Sequence, residues 1–325
     1  MTSVIEARGL AKTFRIGFFR KKVVALRDAS FEVGREEIFG LIGPNGAGKT
    51  TTLKILTGLV RPDVGSGTLL GKPIGEPGAR RALGYLPESP YFHEYLDVRE
   101  LLNLHGALCG MTRAERARSA EVLIDKVGLR QAVGRPLRKF SKGMLQRAGL
   151  ACSLIHDPAL VILDEPQTGL DPIGRAEIAQ LIKDLRAQGK SVFFASHILP
   201  DVERLCDRVA VMVQGRVVDV GPLDKLLNAQ VLSVEILAEG LGESHRAEIE
   251  AAGMSWVAAG ERISLTGNDP ASAQAALAVV LRSGAAVRGY HERQESLEDL
   301  FLREVEGAAR AQRGVEDGAA GEGRS

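Results

Sequence analysis

The sequence EEIFGLIGPNGAGKTTTLKILTG, at residues 36–58, carries the strongest structural signal in the chain. It begins with an apolar run at 38–42 that predicts a buried strand. A glycine-rich turn follows, and then an apolar-periodic helix that ends at Gly58. The turn matches the pattern G-x-x-x-x-G-K-[ST], and it lies between a strand and a helix, as a phosphate-binding loop requires. The stretch therefore predicts a nucleoside triphosphate site.

The chemistry of this loop follows from its small residues. They allow several backbone N–H groups to point at one position, where the positive end of the helix dipole also attracts phosphate oxygens. Lys49 adds a positive charge, and the Thr50 hydroxyl is placed to bind Mg²⁺. The residues predicted to contact the nucleotide are Gly43, Pro44, Asn45, Gly46, Ala47, Gly48, Lys49, Thr50 and Thr51.

Two further segments place polar groups at the ends of apolar strands. Residues 160–166 read LVILDEP, which predicts a buried strand that delivers Asp164 and Glu165 to the ligand-binding edge of a sheet. We expect Asp164 to hold Mg²⁺ and Glu165 to accept the proton of the attacking water. His197 follows the strand SVFFAS and could orient that water. The alternatives are an acidic pair that starts a turn and an ordinary strand-end histidine.

Composition narrows the class of protein. The chain has 325 residues and a net charge of +1, so it gives no reason to expect bulk binding of nucleic acid. Its three cysteines are far apart in sequence, which favours reduced thiols in a cytosolic protein. The sequence has no uninterrupted apolar run of about 18 residues, and its start does not read as a signal peptide. We therefore expect any action at a membrane to require a partner.

The pattern along the chain predicts three regions. Residues 1–229 alternate strands and helices as in a parallel, doubly wound sheet, with a helical insert at about 88–156. Residues 230–305 follow the order βαββαβ of a small α+β domain, with Trp256 and Tyr290 expected in its core. The glycine- and alanine-rich tail at 306–325 is expected to be disordered.

Six segments, taken together and in order, resemble the ATP-binding subunits of ATP-binding cassette (ABC) transporters. FSKGM stands where the family has its signature sequence, usually LSGGQ, and the small C-terminal domain ending in SLEDLFL is similar to an exporter subclass with separate permeases. The segments are the phosphate loop, GYLPE at 84–88, FSKGM at 140–144, LVILDEP at 160–166, TGLDP at 168–172 and SHIL at 196–199.

The resemblance implies a P-loop NTPase (RecA-like) core with an antiparallel β subdomain and a helical insert, plus the small α+β C-terminal domain. It implies an ATPase that uses ATP and Mg²⁺ and powers an integral membrane permease from the cytoplasmic face of the membrane. It also implies a head-to-tail homodimer, in which Ser141, Lys142 and Gly143 of one copy contact the ATP held by the phosphate loop of the other.

The sequence departs from the family pattern at three places. Glu88 replaces a glutamine, so a carboxylate is expected near Mg²⁺ or the attacking water. Lys142 and Met144 replace a glycine and a glutamine of the signature. The aromatic residue that stacks on adenine aligns with Phe14, but Phe18 or Phe19 could take its place.

Some interpretations stay open at this point. The aromatic residues of the insert, Tyr91, Phe92 and Tyr95, could contact the permease or form the core of the insert. The rival function is a soluble ABC ATPase that acts on ribosomes or nucleic acid, but such proteins usually carry two cassettes or a coiled-coil insertion. A module that holds ATP without turnover is a weaker alternative, and Glu165 argues against it.

Overall fold

A computed structural model describes residues 3–17, 21–227, 231–260, 262–304 and 306. Within that part of the chain, one compact unit extends to Leu223 and a second is Asp224–Leu302. The predicted boundary at 229/230 lies among residues 228–230, which are outside the described residues, as is nearly all of the predicted tail.

The first unit is built on a ten-stranded sheet. Its strands are β1 Ile5–Ile16, β2 Lys21–Val33, β3 Ile38–Ile42, β4 Val64–Leu69, β5 Lys72–Pro73, β6 Leu83–Leu86, β7 Leu160–Asp164, β8 Ser191–Ser196, β9 Arg208–Val213 and β10 Arg216–Pro222. Their order in the sheet is β5-β4-β1-β2-β10-β9-β3-β8-β7-β6. The strands β9, β3, β8, β7 and β6 are parallel, and β5, β4, β1 and β2 are antiparallel.

Helices cover this sheet and form the insert between β6 and β7. They are α1 Lys49–Leu56, α2 Pro77–Arg80, α3 Val98–Leu108, α4 Arg113–Lys126, α5 Lys142–Leu154, α6 Pro172–Ala187 and α7 Leu199–Leu205. Helix α8, Leu223–Leu226, begins at the last residue of the first unit and continues into the second. Short 3₁₀ turns occur at Arg130–Ala132 and Leu137–Lys139. The parallel core, antiparallel strands and helical insert confirm the predicted P-loop NTPase fold.

Burial explains why the central strands read as continuous apolar runs. Every residue of β3, β7 and β8 is buried, because helices cover both faces of the parallel part of the sheet. Phe31, Phe39 and Phe193 stack in this core with ring centroids 5.6–5.9 Å apart. The carboxyl ends of β3, β7 and β8 therefore meet at one edge, where the site lies.

Capping fixes the starts of the insert helices. Asp97 caps α3 by accepting from the Glu100 backbone N–H at 2.8 Å, and the Glu100 carboxylate accepts from the Asp97 N–H at 2.9 Å. Thr112 and Glu115 form the same capping box at α4. In both helices the sequence places an acceptor side chain three residues before a glutamate, which is the pattern of a capping box. Helix α7 was not predicted, because it has only seven residues and begins after Ile198, which provides no side-chain cap.

The second unit has the predicted βαββαβ order and a four-stranded antiparallel sheet in the order β12-β13-β11-β14. Its main core contains Trp256, which is 8% exposed, whereas Tyr290 is 38% exposed, so the expectation of a core role for Tyr290 is wrong. Across the described residues, no helix is both long and apolar enough to cross a membrane. The elements are β11 Val231–Glu239, α9 Arg246–Ala251, β12 Ser255–Ala259, β13 Arg262–Gly267, α10 Pro270–Arg282 and β14 Ala286–Gln294, followed by a helix at 297–304.

Candidate nucleotide-binding site

The glycine-rich turn joins the end of β3 to the start of α1. Gly48 has a φ of 109°, and a Cβ there would lie 2.6 Å from the Ala25 carbonyl oxygen. A Cβ on Gly43 would lie only 2.3 Å from the Met212 carbonyl oxygen. Both positions need glycine for close packing against neighbouring backbone, which lets the turn wrap around the N-terminus of α1.

Lys49 reaches back across the turn. Its Nζ donates to the Gly43 carbonyl at 2.6 Å and lies 3.4 Å from the Pro44 carbonyl oxygen. Burial lowers the pKa of Lys49, while the negative charges of Glu165 and Asp164 oppose that shift. The ammonium group is thus held, nearly buried, beside the place where phosphate oxygens would lie.

Asp164 ends β7 directly beside Thr50. The Thr50 hydroxyl donates to Asp164 Oδ1 at 3.3 Å, and Asp164 is 1% exposed. Burial, with smaller contributions from the negative charges of Glu88 and Glu165, raises the pKa of Asp164 to about 6. Its second oxygen, Oδ2, is buried and has no hydrogen-bond partner among the described residues. An orphaned carboxylate oxygen beside a hydroxyl is an oxygen donor set that fits Mg²⁺.

Glu165 and His197 form a hydrogen-bonded pair. His197 follows β8, and its Nδ1 lies 2.8 Å from Glu165 Oε2. The other carboxylate oxygen, Oε1, lies 3.7 Å from Lys49 Nζ. Glu165 is 6% exposed, so its carboxylate is fixed between a cation and an imidazole at the floor of the site.

A cavity of about 530 Å³ joins these groups. The loop residues Pro44–Thr51 line this cavity together with Glu88, Glu165 and His197. The structure therefore brings the phosphate loop and both predicted catalytic residues together. Val23, Val24 and Ala25 of β2 and Thr168 also line it, and sequence reasoning did not assign them to the site. Val23 and Val24 are half-exposed in the structure, and nothing in the local sequence pattern marks them as part of the site.

The described residues that line this cavity do not include Phe14. The Lys12 ammonium lies 5.7 Å from the centre of the Phe14 ring, and Lys12 also pairs with Asp63 at 2.7 Å. Phe18 and Phe19 are outside the described residues. The assignment of Phe14 to adenine stacking stays a prediction.

Residues 141–143 lie at a different place. Ser141 caps α5 by accepting from the Met144 N–H at 3.2 Å. Ser141, Lys142 and Gly143 line a separate cavity of about 810 Å³, and the stem of Lys142 packs against Gly169. Within one chain, the structure therefore does not bring the signature residues to the phosphate loop.

Helix α5 also packs closely against the strand that precedes Glu88. A Cβ on Gly149 would lie 2.7 Å from the Leu86 Cδ1 and 3.2 Å from the Pro90 Cγ, so only glycine allows this approach without a shift of the neighbours. The aromatic residues that follow are not all buried. Tyr91 is 91% exposed and Tyr95 is 81% exposed, whereas the Phe92 ring lies edge-on to His105, with 6.2 Å between the ring centres. A core role is therefore excluded for the two tyrosines.

A parallel sheet with a phosphate loop, a buried lysine and a carboxylate pair on the neighbouring strand defines a P-loop nucleotide-binding protein. Comparison with known proteins narrows the class. The family model described as "ABC transporter" matches residues 26–168. An uncharacterised ABC transporter ATP-binding protein of Synechocystis is 41% identical over 306 residues, which cover 93% of this chain and 85% of that protein.

Two further matches agree with this. The Nod factor export ATP-binding protein I of Cupriavidus pinatubonensis is 34% identical over 307 residues, covering 93% of this chain and 91% of that protein. A solved structure of an ATP-binding subunit of an ABC transporter is 33% identical, with a TM-score of 0.62, and covers 69% of this chain and 92% of its own. The chain belongs to the ABC transporter family, as an ATP-binding subunit. This confirms the resemblance, and an action on ribosomes or nucleic acid is not favoured.

Proposed function

We propose that this chain hydrolyses ATP to drive a membrane exporter whose permease is a separate protein. The observation that carries the proposal is the fixed geometry of Glu165, between His197 at 2.8 Å and Lys49 at 3.7 Å, at the floor of the phosphate-loop cavity. A module that only holds ATP would have no need for a carboxylate oriented in this way.

The residues suggest a simple division of tasks. The loop N–H groups and Lys49 bind the phosphates, and His197 holds the Glu165 carboxylate in place. Glu165 accepts a proton from water while the water oxygen bonds to the γ-phosphorus. The bond from that phosphorus to the β–γ bridging oxygen breaks, which gives ADP and phosphate. Thr50, Asp164 and Glu88 would hold Mg²⁺, which supplies positive charge to the phosphate oxygens.

A second copy of the chain would complete the site. Ser141–Gly143 begin a 13-residue helix whose free N–H groups favour phosphate, yet they line a different cavity from the phosphate loop. In a head-to-tail dimer, Ser141, Lys142 and Gly143 of one copy would contact the ATP bound by the other. ATP would then join the two copies, and hydrolysis would release them.

This arrangement is tested by removing the base. Glu165→Gln keeps the shape of the side chain, so it should lower turnover by roughly 10²–10⁴-fold without weakening ATP binding. Chromatography with light scattering should show a dimer with ATP and Mg²⁺ and a monomer without nucleotide. Adding Ser141→Arg should abolish the dimer. A Glu165→Gln protein that stays monomeric in saturating ATP and Mg²⁺, even with its permease, would refute the sandwich.

Contact with the permease is proposed for the exposed tyrosines that follow Glu88. Tyr91 and Tyr95 present two aromatic rings to solvent, and interfaces are enriched in such residues. The double variant Tyr91→Ala/Tyr95→Ala should retain ATP turnover but lose copurification of an integral membrane protein in mild detergent. Tyr290→Ala, in the second unit, is the control. Unchanged copurification of the double variant would contradict this assignment.

Export is the direction favoured by the relatives. The match to a Nod factor export protein extends over 93% of this chain, so it includes the C-terminal domain. The chain would then work on the cytoplasmic face of the membrane, held there by its permease. Everted membrane vesicles that carry both proteins should accumulate the transported compound on addition of ATP. ATP-dependent uptake of that compound by intact cells would contradict export.

A further inference from the structure

A buried amide connects the signature helix to the predicted base. Gln146 lies in α5, between one and two turns after Ser141, and is 3% exposed. Its Nε2 donates a hydrogen bond to the Glu165 backbone carbonyl at 3.3 Å. This contact joins the insert to the residue that follows β7, and nothing in the proposed reaction requires Gln146 to touch nucleotide.

The backbone that receives this bond is unusual. Glu165 has a φ of 51°, in the left-handed region that residues with a Cβ rarely adopt. Its N–H donates to the Ala195 carbonyl at 3.0 Å, on the neighbouring strand. A residue held in such a conformation needs surrounding contacts to keep it there. The Ala195 carbonyl secures the N–H side of Glu165. On the other side, the Glu165 carbonyl accepts from the Thr168 backbone N–H at 3.1 Å and from the Gln146 side chain, which is its link to helix α5.

The helix that carries Gln146 is itself fixed by the next residue. Arg147 donates to the Val127 carbonyl at 3.2 Å, at the end of α4, and pairs with Glu177 of α6 at 2.6 Å. The helix that carries Gln146 is therefore held by contacts with α6 and the end of α4. Gln146 lies less than two helical turns from the N-terminus of α5, so a displacement of that N-terminus would also displace the Glu165 backbone.

We propose that Gln146 is a positioning residue for ATP hydrolysis. Its amide holds the left-handed backbone of Glu165, and thereby aims the Glu165 carboxylate at the attacking water. Because the same helix begins at Ser141, this bond reports the position of the signature residues to the base. The inference rests on the proposed role of Glu165 as general base.

Two substitutions separate this role from simple packing. Gln146→Met keeps the length of the side chain but cannot donate a hydrogen bond. It should lower kcat by roughly 10–100-fold, because small displacements of a catalytic group cost about that much. ATP affinity, measured by titration, should stay within about twofold of wild type, since the phosphate loop is untouched. Gln180→Met, which removes a 2.8 Å bond to Asp184 on the surface of α6, should leave kcat unchanged.

Gln146→Glu provides a readout that packing would not give. A protonated carboxyl group can donate to the Glu165 carbonyl, whereas an ionised one repels it. The turnover of this variant, relative to wild type at the same pH, should therefore rise as the pH falls from about 8 to about 6, because burial raises a carboxyl pKa. The ratio should stay flat for Gln146→Met.

The outcomes distinguish the two proposals. If the wild-type chain hydrolyses ATP and Gln146→Met does so at the same rate, the positioning role is wrong and the proposed function stands. Equal losses of ATP affinity and kcat in Gln146→Met, with a flat pH ratio for Gln146→Glu, would also overturn it and assign the bond to packing. If the wild-type chain with its permease does not hydrolyse ATP, the proposed function itself fails.

Discussion

Replacing Lys49 with methionine should do more than remove a phosphate contact. Lys49 forms an ion pair with the Glu165 carboxylate, with 3.7 Å between Nζ and Oε1, and the two side chains are 7% and 8% exposed. Methionine keeps the apolar stem but leaves Glu165 and the neighbouring Asp164 as buried carboxylates without that charge. The variant should therefore lose stability as well as ATP binding.

The size of the loss follows from the distance. At an effective dielectric constant of about 20, unit charges 3.7 Å apart attract each other by about 4.5 kcal/mol. Removing one partner of a buried pair costs about 3–5 kcal/mol. Glu165 keeps its hydrogen bond to His197, so we expect the lower end, about 3 kcal/mol. For a unit of this size the midpoint of thermal unfolding should fall by about 6–12 °C.

The assay is thermal unfolding of the nucleotide-free protein, followed by circular dichroism at 222 nm. Trp256 fluorescence is recorded in parallel, because this single tryptophan lies in the second unit. The double variant Lys49→Met/Glu165→Gln should recover at least half of the loss, since one of the unpaired carboxylates is gone. At 25 °C both variants should keep the wild-type circular dichroism spectrum. Titration of either variant with ATP and Mg²⁺ should detect no binding, because both lack Lys49.

The pH dependence provides a second check on the same reasoning. The pKa of Asp164 is raised to about 6 in the folded protein, so the folded state takes up this proton before the unfolded state does. Lowering the pH to about 5 therefore favours folding of both proteins. It should also reduce the deficit of Lys49→Met, because the Lys49 charge that lowers the pKa of Asp164 in wild type is absent from the variant. A variant as stable as wild type at pH 7.5, or a double variant no more stable than the single one, would refute the role assigned to this pair.

Two further predictions concern the metal site and the loop. Because the pKa of Asp164 is about 6, the affinity for ATP with Mg²⁺ should fall as the pH drops from about 7.5 to about 5. Asp164→Asn should show weak, pH-independent binding in the same titrations. Equal pH profiles for wild type and this variant would contradict a metal-binding role for Asp164. Gly43→Ala places a methyl group 2.3 Å from the Met212 carbonyl oxygen, so it should abolish ATP binding and lower the unfolding midpoint. Gly46→Ala meets no atom within 4 Å and should lower the free energy of unfolding by only about 1–2 kcal/mol, because of its φ of 81°. Similar losses in both variants would show that the Met212 contact is unimportant.

The edge of the sheet that carries the candidate site could be predicted, because local patterns determine it. A phosphate loop between a strand and a helix, and polar residues at the ends of two apolar strands, must converge when those strands are parallel neighbours. Asp164, Glu165 and His197 therefore lie where the strand pattern placed them. Their spacing in sequence carried enough information, because each belongs to a strand whose burial is visible as an apolar run.

The rest of the site depends on contacts that no local pattern encodes. Val23 and Val24 line the cavity because β2, in the antiparallel part of the sheet, lies against the phosphate loop. The sequence of β2 alone does not show which distant segment it will contact. Gln146 looks like any helical glutamine until α5 is placed beside the end of β7. The left-handed backbone of Glu165 was equally hidden, since no glycine marks it.

The close approach of α5 to the segment after β6 predicts where second-site suppressor mutations should occur. Gln146 and Gly149 are three residues apart, so one face of this helix contacts both Glu165 and the chain that leads to the exposed Tyr91. A defect introduced at either end can therefore be compensated at the other by a small shift of the helix. Second-site suppressors of a permease-contact defect should accordingly map to this helix face, behind the altered surface, and should not change any nucleotide ligand.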